Sequence, residues 1–210
     1  KHTMKTHTLT LLTALLLGPL AVAVSAQQAK VSYQPLAHRA GEWYGSTYWV
    51  GPDWARVGKD WQHPGSNNPS VRRFVCPSDG QVAVSGRVFK RHLGGDGVVA
   101  MIRLNAGEVW RTEIAGDDGV GREHALTLDV KKGDALRFVI DKRGNYGVDT
   151  TGWDPTVAYA GGERHTASVA FAETRQGAGG WFYEYAGEPP VPPPETLPEP
   201  PTVRLSAQAA

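Results

Sequence analysis

Four aromatic residues in turn-rich stretches carry the chemistry this sequence offers: Trp54, Trp61, Tyr146 and Trp153. Beside them stand Asp53, His63, Asn145, Asp149 and Asp154. Sugar rings present flat C–H faces that an indole or phenol covers, and hydroxyls that Asp, Asn and His orient. An apolar platform with a few convergent polar groups is the make-up of a small-ligand site, and aromatic rings supply contact area at little rotamer entropy. The candidate ligand-binding set is therefore Trp54, Trp61, His63, Tyr146, Asp149, Trp153 and Asp154, with Trp61, His63, Trp153 and Asp154 leading. Trp43, Trp49, Trp110 and Trp181 lie nearer strand-like runs and are assigned to the core. The competing reading, in which the loop aromatics plug the ends of the fold, stays open.

Other chemistries are less well served. Asn145, Asp149 and Asp154 are hard oxygen donors of the kind calcium takes, so they form a candidate structural calcium set, with Asp117, Asp118 and Asp96 as weaker ones. Aspartates in turns also bond local backbone by default. His38, His63, His92, His124 and His165 are dispersed without transition-metal spacing. Glycoside hydrolysis needs two carboxylates across one bond, and elimination needs a base with a charge neutraliser. Asp149 with Asp154, or Arg111 with Glu113, could be brought together, but 21 acidic residues make some close pair unavoidable. No Gly-x-Ser-x-Gly elbow is present. Gly94-Gly95-Asp96-Gly97 has no helix after it to cradle a phosphate.

The elements that must hold these residues are strands. Val82, Val84 and Val88, then Val98 to Leu104, Leu126 to Val130 and Leu136 to Ile140 alternate apolar and polar residues or nearly so. A period of two marks a sheet with one buried face. Ser78-Asp79-Gly80, Asp117-Asp118-Gly119 and Lys132-Gly133-Asp134 are turn signals between them, and Asn105-Ala106-Gly107 suits a hairpin. Strands are expected at 71–76, 81–89, 97–104, 107–114, 124–130, 135–141, 164–171 and 181–185, with a loop over 142–156. Residues 31–70 read as loops with short strands at most. No three-turn helical period occurs, so the fold expected is an all-β antiparallel β-sandwich or jelly roll in one domain with little helix.

The ends bound where the protein works. Met4-Lys5, the apolar run Leu9 to Val24 and Val24-Ser25-Ala26 have the order of a secretory signal peptide cleaved near Ala26, too short for a membrane span. Residues 27–187 are then the exported domain. Eight of the 15 prolines fall between Gly187 and Thr202, so 188–210 reads as a linker or tail of polyproline type. One cysteine, Cys76, leaves no intrachain disulfide and reads as a small buried hydrophobe. A formal net charge of +1 offers no basic field for nucleic acid.

Residues 61–157 resemble the accessory β-sandwich modules of secreted bacterial polysaccharide-active proteins. The likeness lies in Trp61-Gln62-His63-Pro64, Val71-Arg72-Arg73-Phe74, Gly94-Gly95-Asp96-Gly97-Val98, Lys132 to Ile140 and Asp149-Thr150-Thr151-Gly152-Trp153-Asp154-Pro155, with Gln176 to Tyr185 as a further element. The resemblance implies a galactose-binding-like or jelly-roll fold and a non-catalytic role beside a partner domain. The expectation is a secreted carbohydrate-binding module that holds a tethered catalytic or anchoring module, or the cell surface, against a polysaccharide. A small jelly-roll polysaccharide lyase or glycoside hydrolase is the first alternative, and an adhesion module that binds protein is the second.

Overall fold

In the computed structural model the described residues are 31–188; the expected signal peptide and nearly all of the expected Pro-rich tail lie outside them. The described chain is an antiparallel β-sandwich, with only two three-residue 3₁₀ turns, Pro52–Trp54 and Ala178–Gly180. Strands β1 (Tyr33–Pro35), β2 (Ala37–Trp43), β3 (Ser46–Val50), β4 (Arg56–Gly58) and β5 (Trp61–His63) come first. The longer strands follow: β6 (Ser70–Val75), β7 (Gly80–Lys90), β8 (Val98–Leu104), β9 (Gly107–Ile114), β10 (Arg122–Val130) and β11 (Ala135–Lys142). β12 (Thr151–Trp153), β13 (Thr156–Tyr159), β14 (Arg164–Thr166) and β15 (Trp181–Ala186) close the domain. One sheet has the order β1-β15-β6-β11-β8-β9; the other runs β14-β13-β7-β12-β5-β4-β3-β2, with β10 on the remaining edge of β7.

The apolar alternation read from sequence faces the space between the sheets. Val82, Val84 and Val88 pack there against Phe74, Ala100, Ile102, Leu136, Phe138 and Ile140, each without exposed surface. Cys76 joins this core, as its sequence context predicts. Asn105 takes a left-handed φ of 54°, which an asparagine tolerates, and so turns β8 into β9. Arg72 projects from β6 into the sandwich without exposed surface and donates to the Lys59 carbonyl at 2.8 Å and the Gly58 carbonyl at 2.7 Å. Burial pushes its guanidinium down from the ordinary arginine value. It ties the β4–β5 turn to the opposite sheet.

Two expectations need correction. The stretch 142–156 is not all loop: Thr151–Trp153 pairs with both β5 and β7. Three residues including a glycine are too few to show alternation. The expected strand over 164–171 stops at Thr166, because Ala167 then donates to the Pro155 carbonyl and Asp154 holds Ser168 through both carboxylate oxygens, at 2.8 and 2.6 Å.

Candidate functional site

On the outer face of the larger sheet an aromatic cluster builds up from the short strands β2 to β5. Gln62 points into the sandwich, where its amide reaches the Ser70 and Phe138 carbonyls at 3.2 Å each. Alternation therefore turns Trp61 and His63 outward. The β2–β3 hairpin closes over them: its two-residue turn, Tyr44-Gly45, has φ of 50° and 78°, both left-handed as the tightest hairpins require. Trp43 meets the Trp61 ring edge-on at 5.2 Å, and Tyr44 and Tyr48 lie within 6 Å of it. Gly58, across the hairpin, makes this possible, since a Cβ there would sit 2.0 Å from the Trp61 indole.

Trp61 thus has no exposed surface, and its indole N–H donates to Ser46 Oγ at 3.1 Å. Trp153 is equally buried, on the inner side, donating to His124 Nε2 at 3.0 Å. Neither can stack on a ligand, which corrects their place in the candidate set. Truncating either removes a large packed side chain without local collapse to fill the space. Trp61→Ala is expected to lose about 3–5 kcal/mol of stability, visible as an earlier urea midpoint; an unchanged midpoint would mean that Trp61 is not packed as described.

Two more members of the set are structural. Asp149 is fully buried and pairs with Lys90 Nζ at 2.8 Å, both side chains without exposed surface. Burial pushes its carboxyl above the usual range, and the Lys90 ammonium pulls it part of the way back. Asp154 is engaged by Ser168, and Asn145 Oδ1 accepts from Gly147 N–H at 2.8 Å. The proposed calcium donors are therefore occupied by separate partners, and no group of three or more His, Cys, Asp or Glu side chains suited to a metal occurs among the described residues.

Trp54, His63 and Tyr146, by contrast, are brought together. They line an open cleft of about 530 Å³ with Trp43, His92 and Thr150, closed on one side by Asn145–Val148. Trp54 is 52% exposed. The Arg56 guanidinium lies 4.0 Å over its ring and 4.6 Å over that of Trp43, so it braces the exposed indole by cation–π contact. Asp53 and Trp54 both have left-handed φ, 51° and 76°, and the Asp53 carbonyl accepts from Ser66 N–H at 2.9 Å. Gly65 permits that contact: a Cβ there would lie 2.8 Å from the same carbonyl.

The opposite rim is strained as well. Val148, a β-branched residue for which φ of 66° is an outlier, is held by Lys90 Nζ donating to its carbonyl at 2.7 Å. Of the five left-handed non-glycine residues among the described residues, Trp54 and Val148 line the cleft, Tyr44 and Asp53 adjoin lining residues, and Asn105 serves a distant turn. Such backbone costs about 1–3 kcal/mol per residue and clusters where structure serves function.

The polar lining is specific. The Tyr44 hydroxyl and His92 Nδ1 are 2.7 Å apart. His63 Nδ1 lies 2.7 Å from the Pro64 carbonyl, so that nitrogen carries the proton and Nε2 is the remaining acceptor. Burial, together with the nearby charges of Arg56 and Lys90, pushes the His63 imidazole down to about 4, against the pull of the Pro64 carbonyl. The unfolded chain takes up this proton below about pH 6.5 and the folded one only near 4, so stability is full above pH 6.5 and falls with pH through that window. The loss is about 2.5 kcal/mol by pH 4.5, and burial of His124 adds in the same direction. Urea midpoints should drop accordingly, and less steeply in His63→Gln; identical slopes in the two proteins would exclude His63 as the source.

Sequence reasoning missed Trp43, Tyr44, His92 and Arg56. The Tyr44-Gly45 pair, a possible hairpin turn, is a sequence signal that could have found the first two. Comparison with protein-family models, with curated proteins and with solved structures found no match.

Proposed function

We propose that this chain is a non-catalytic, exported carbohydrate-binding module whose cleft stacks Trp54 on a polysaccharide and keeps a tethered module, or the cell surface, beside it. What supports this reading above all is Trp54, an exposed indole held on left-handed backbone and propped by Arg56 at the mouth of an aromatic cleft. A protein gains no fold stability from straining its backbone to expose tryptophan. Tyr146 and Trp43 extend the apolar wall, while His63, Asn145 and Thr150 supply hydrogen-bonding groups. Tethering would raise the local concentration of a partner module at the polymer.

No side-chain carboxylate lines the cleft, whereas glycoside hydrolysis by the common route uses two. The Tyr44–His92 pair favours the lyase alternative, because a hydroxyl bonded to imidazole can exchange a proton with substrate. Both readings are separated by one assay. The full-length chain is passed over insoluble and gel-embedded glycans, and the eluate is read for retention and for unsaturated sugar products. Retention without product is expected. Product formation would make the chain a lyase, and absence of retention on every glycan would move the adhesion alternative forward.

A further inference from the structure

Ionic groups crowd around the cleft, yet none of their side chains lines it. Lys90 and Asp149 close on each other with no exposed side-chain surface. The Arg56 guanidinium lies against the Trp43 and Trp54 rings. Arg91 pairs with Asp60 at 2.6 Å and reaches the Tyr44 carbonyl at 3.2 Å. The lining residues include no carboxylate, ammonium or guanidinium side chain. A second cleft of this molecule, lined by Asp96, Glu113 and Arg143 with Val99 and Gly144, shows the opposite character.

Charge on a ligand would be desolvated against aromatic rings with no counter-charge among the lining residues, and the Arg56 guanidinium nearby is already engaged by the Trp43 and Trp54 rings. Hydroxyls would fare better. The lining offers an acceptor in His63 Nε2, and donors in the Asn145 amide nitrogen, whose oxygen is already taken by Gly147. A hydroxyl both gives and accepts, so it satisfies either partner. At about 530 Å³ the cleft falls within the range of roughly 300–1,000 Å³ typical of small-ligand sites.

Resting on the carbohydrate-binding reading, we infer that the cleft takes the uncharged rings of a neutral polysaccharide and rejects uronate and sulfated polymers. The lining contacts are stacking and neutral hydrogen bonds, so binding is insensitive to salt.

Affinity electrophoresis of the full-length chain tests this, run near pH 8, where a histidine ring is ordinarily neutral. The gels hold neutral polymers (xylan, mannan, mixed-linkage glucan) or charged ones (polygalacturonate, alginate, dextran sulfate). Each is run at low salt and at about 0.5 M NaCl, beside Trp54→Ala. The expected result is retention by at least one neutral polymer, equal at both salts, at least tenfold stronger than by any charged one, and lost in Trp54→Ala. Stronger, salt-sensitive retention by a charged polymer overturns the inference and leaves carbohydrate binding standing. Neutral retention unchanged in Trp54→Ala overturns the assignment to this cleft. No retention by any polymer overturns the carbohydrate-binding reading itself.

Discussion

Trp54→Ala is expected to weaken glycan retention about thirty-fold while the folded state melts almost where the parent does. Covering one face of an indole with sugar C–H groups removes apolar area from water and adds aromatic contact, together worth about 2 kcal/mol. The side chain is 52% exposed, so the fold loses little burial with it. Its main internal contact is the Arg56 guanidinium at 4.0 Å, a cation–π interaction of about 0.5–1 kcal/mol at such exposed sites. Trp54→Phe, which keeps a smaller platform, should fall between the two. The measurement is retardation in a glycan gel, with thermal melting by circular dichroism as control. Retention equal to that of the parent would remove Trp54 from the binding surface; loss of retention together with loss of fold would make it a structural residue.

Lys90→Met carries the larger effect on stability. It leaves the Asp149 carboxylate in a dry interior without its 2.8 Å partner, and Asp149 Oδ2 already lacks a hydrogen bond. Breaking a buried pair from one side costs about 3–5 kcal/mol, a large share of the 5–15 kcal/mol that holds a typical domain together. The double variant Lys90→Met with Asp149→Leu should regain much of that loss, because no charge is then stranded. It should not regain binding. The Val148 carbonyl would still lack the Nζ that holds this strained residue in place, and the rim 145–148 would relax away from Trp54. Urea denaturation and the glycan gel read the two effects separately. A single variant as stable as the parent would show that the pair contributes no more than a surface ion pair.

The strand grammar was legible because alternation is written within each strand, whichever distant neighbour that strand later pairs with. Val82, Val84 and Val88 and Leu136 to Ile140 needed only their own near-alternation to be placed, and Val98 to Leu104 its continuous apolar run over 98–102, which buries both faces. Tryptophan was harder to read. Trp61 and Trp54 both sit among glycine, proline and aspartate, and nothing within a few residues separates a buried indole from an exposed one. Trp61 is covered by the β2–β3 hairpin, and Trp153 by His124, 29 residues away. Trp43 went the other way: its strand-like neighbours suggested core, and the open side of the hairpin left it lining the cleft. Asp149 looked like a cation ligand until its partner, 59 residues earlier, was seen to be lysine.

From sequence alone came the all-β class, most strand positions, the near-absence of helix and three of the residues, Trp54, His63 and Tyr146, that line the aromatic cleft. These rest on short-range periodicity and on turn chemistry, which a chain carries locally. Which aromatics form a surface, which carboxylates are neutralised, and where backbone strain gathers were decided by the tertiary structure. Burial and charge pairing belong to contacts between segments tens of residues apart, and only the packed sandwich brings β2, β5, β7 and the 145–150 segment around one cleft.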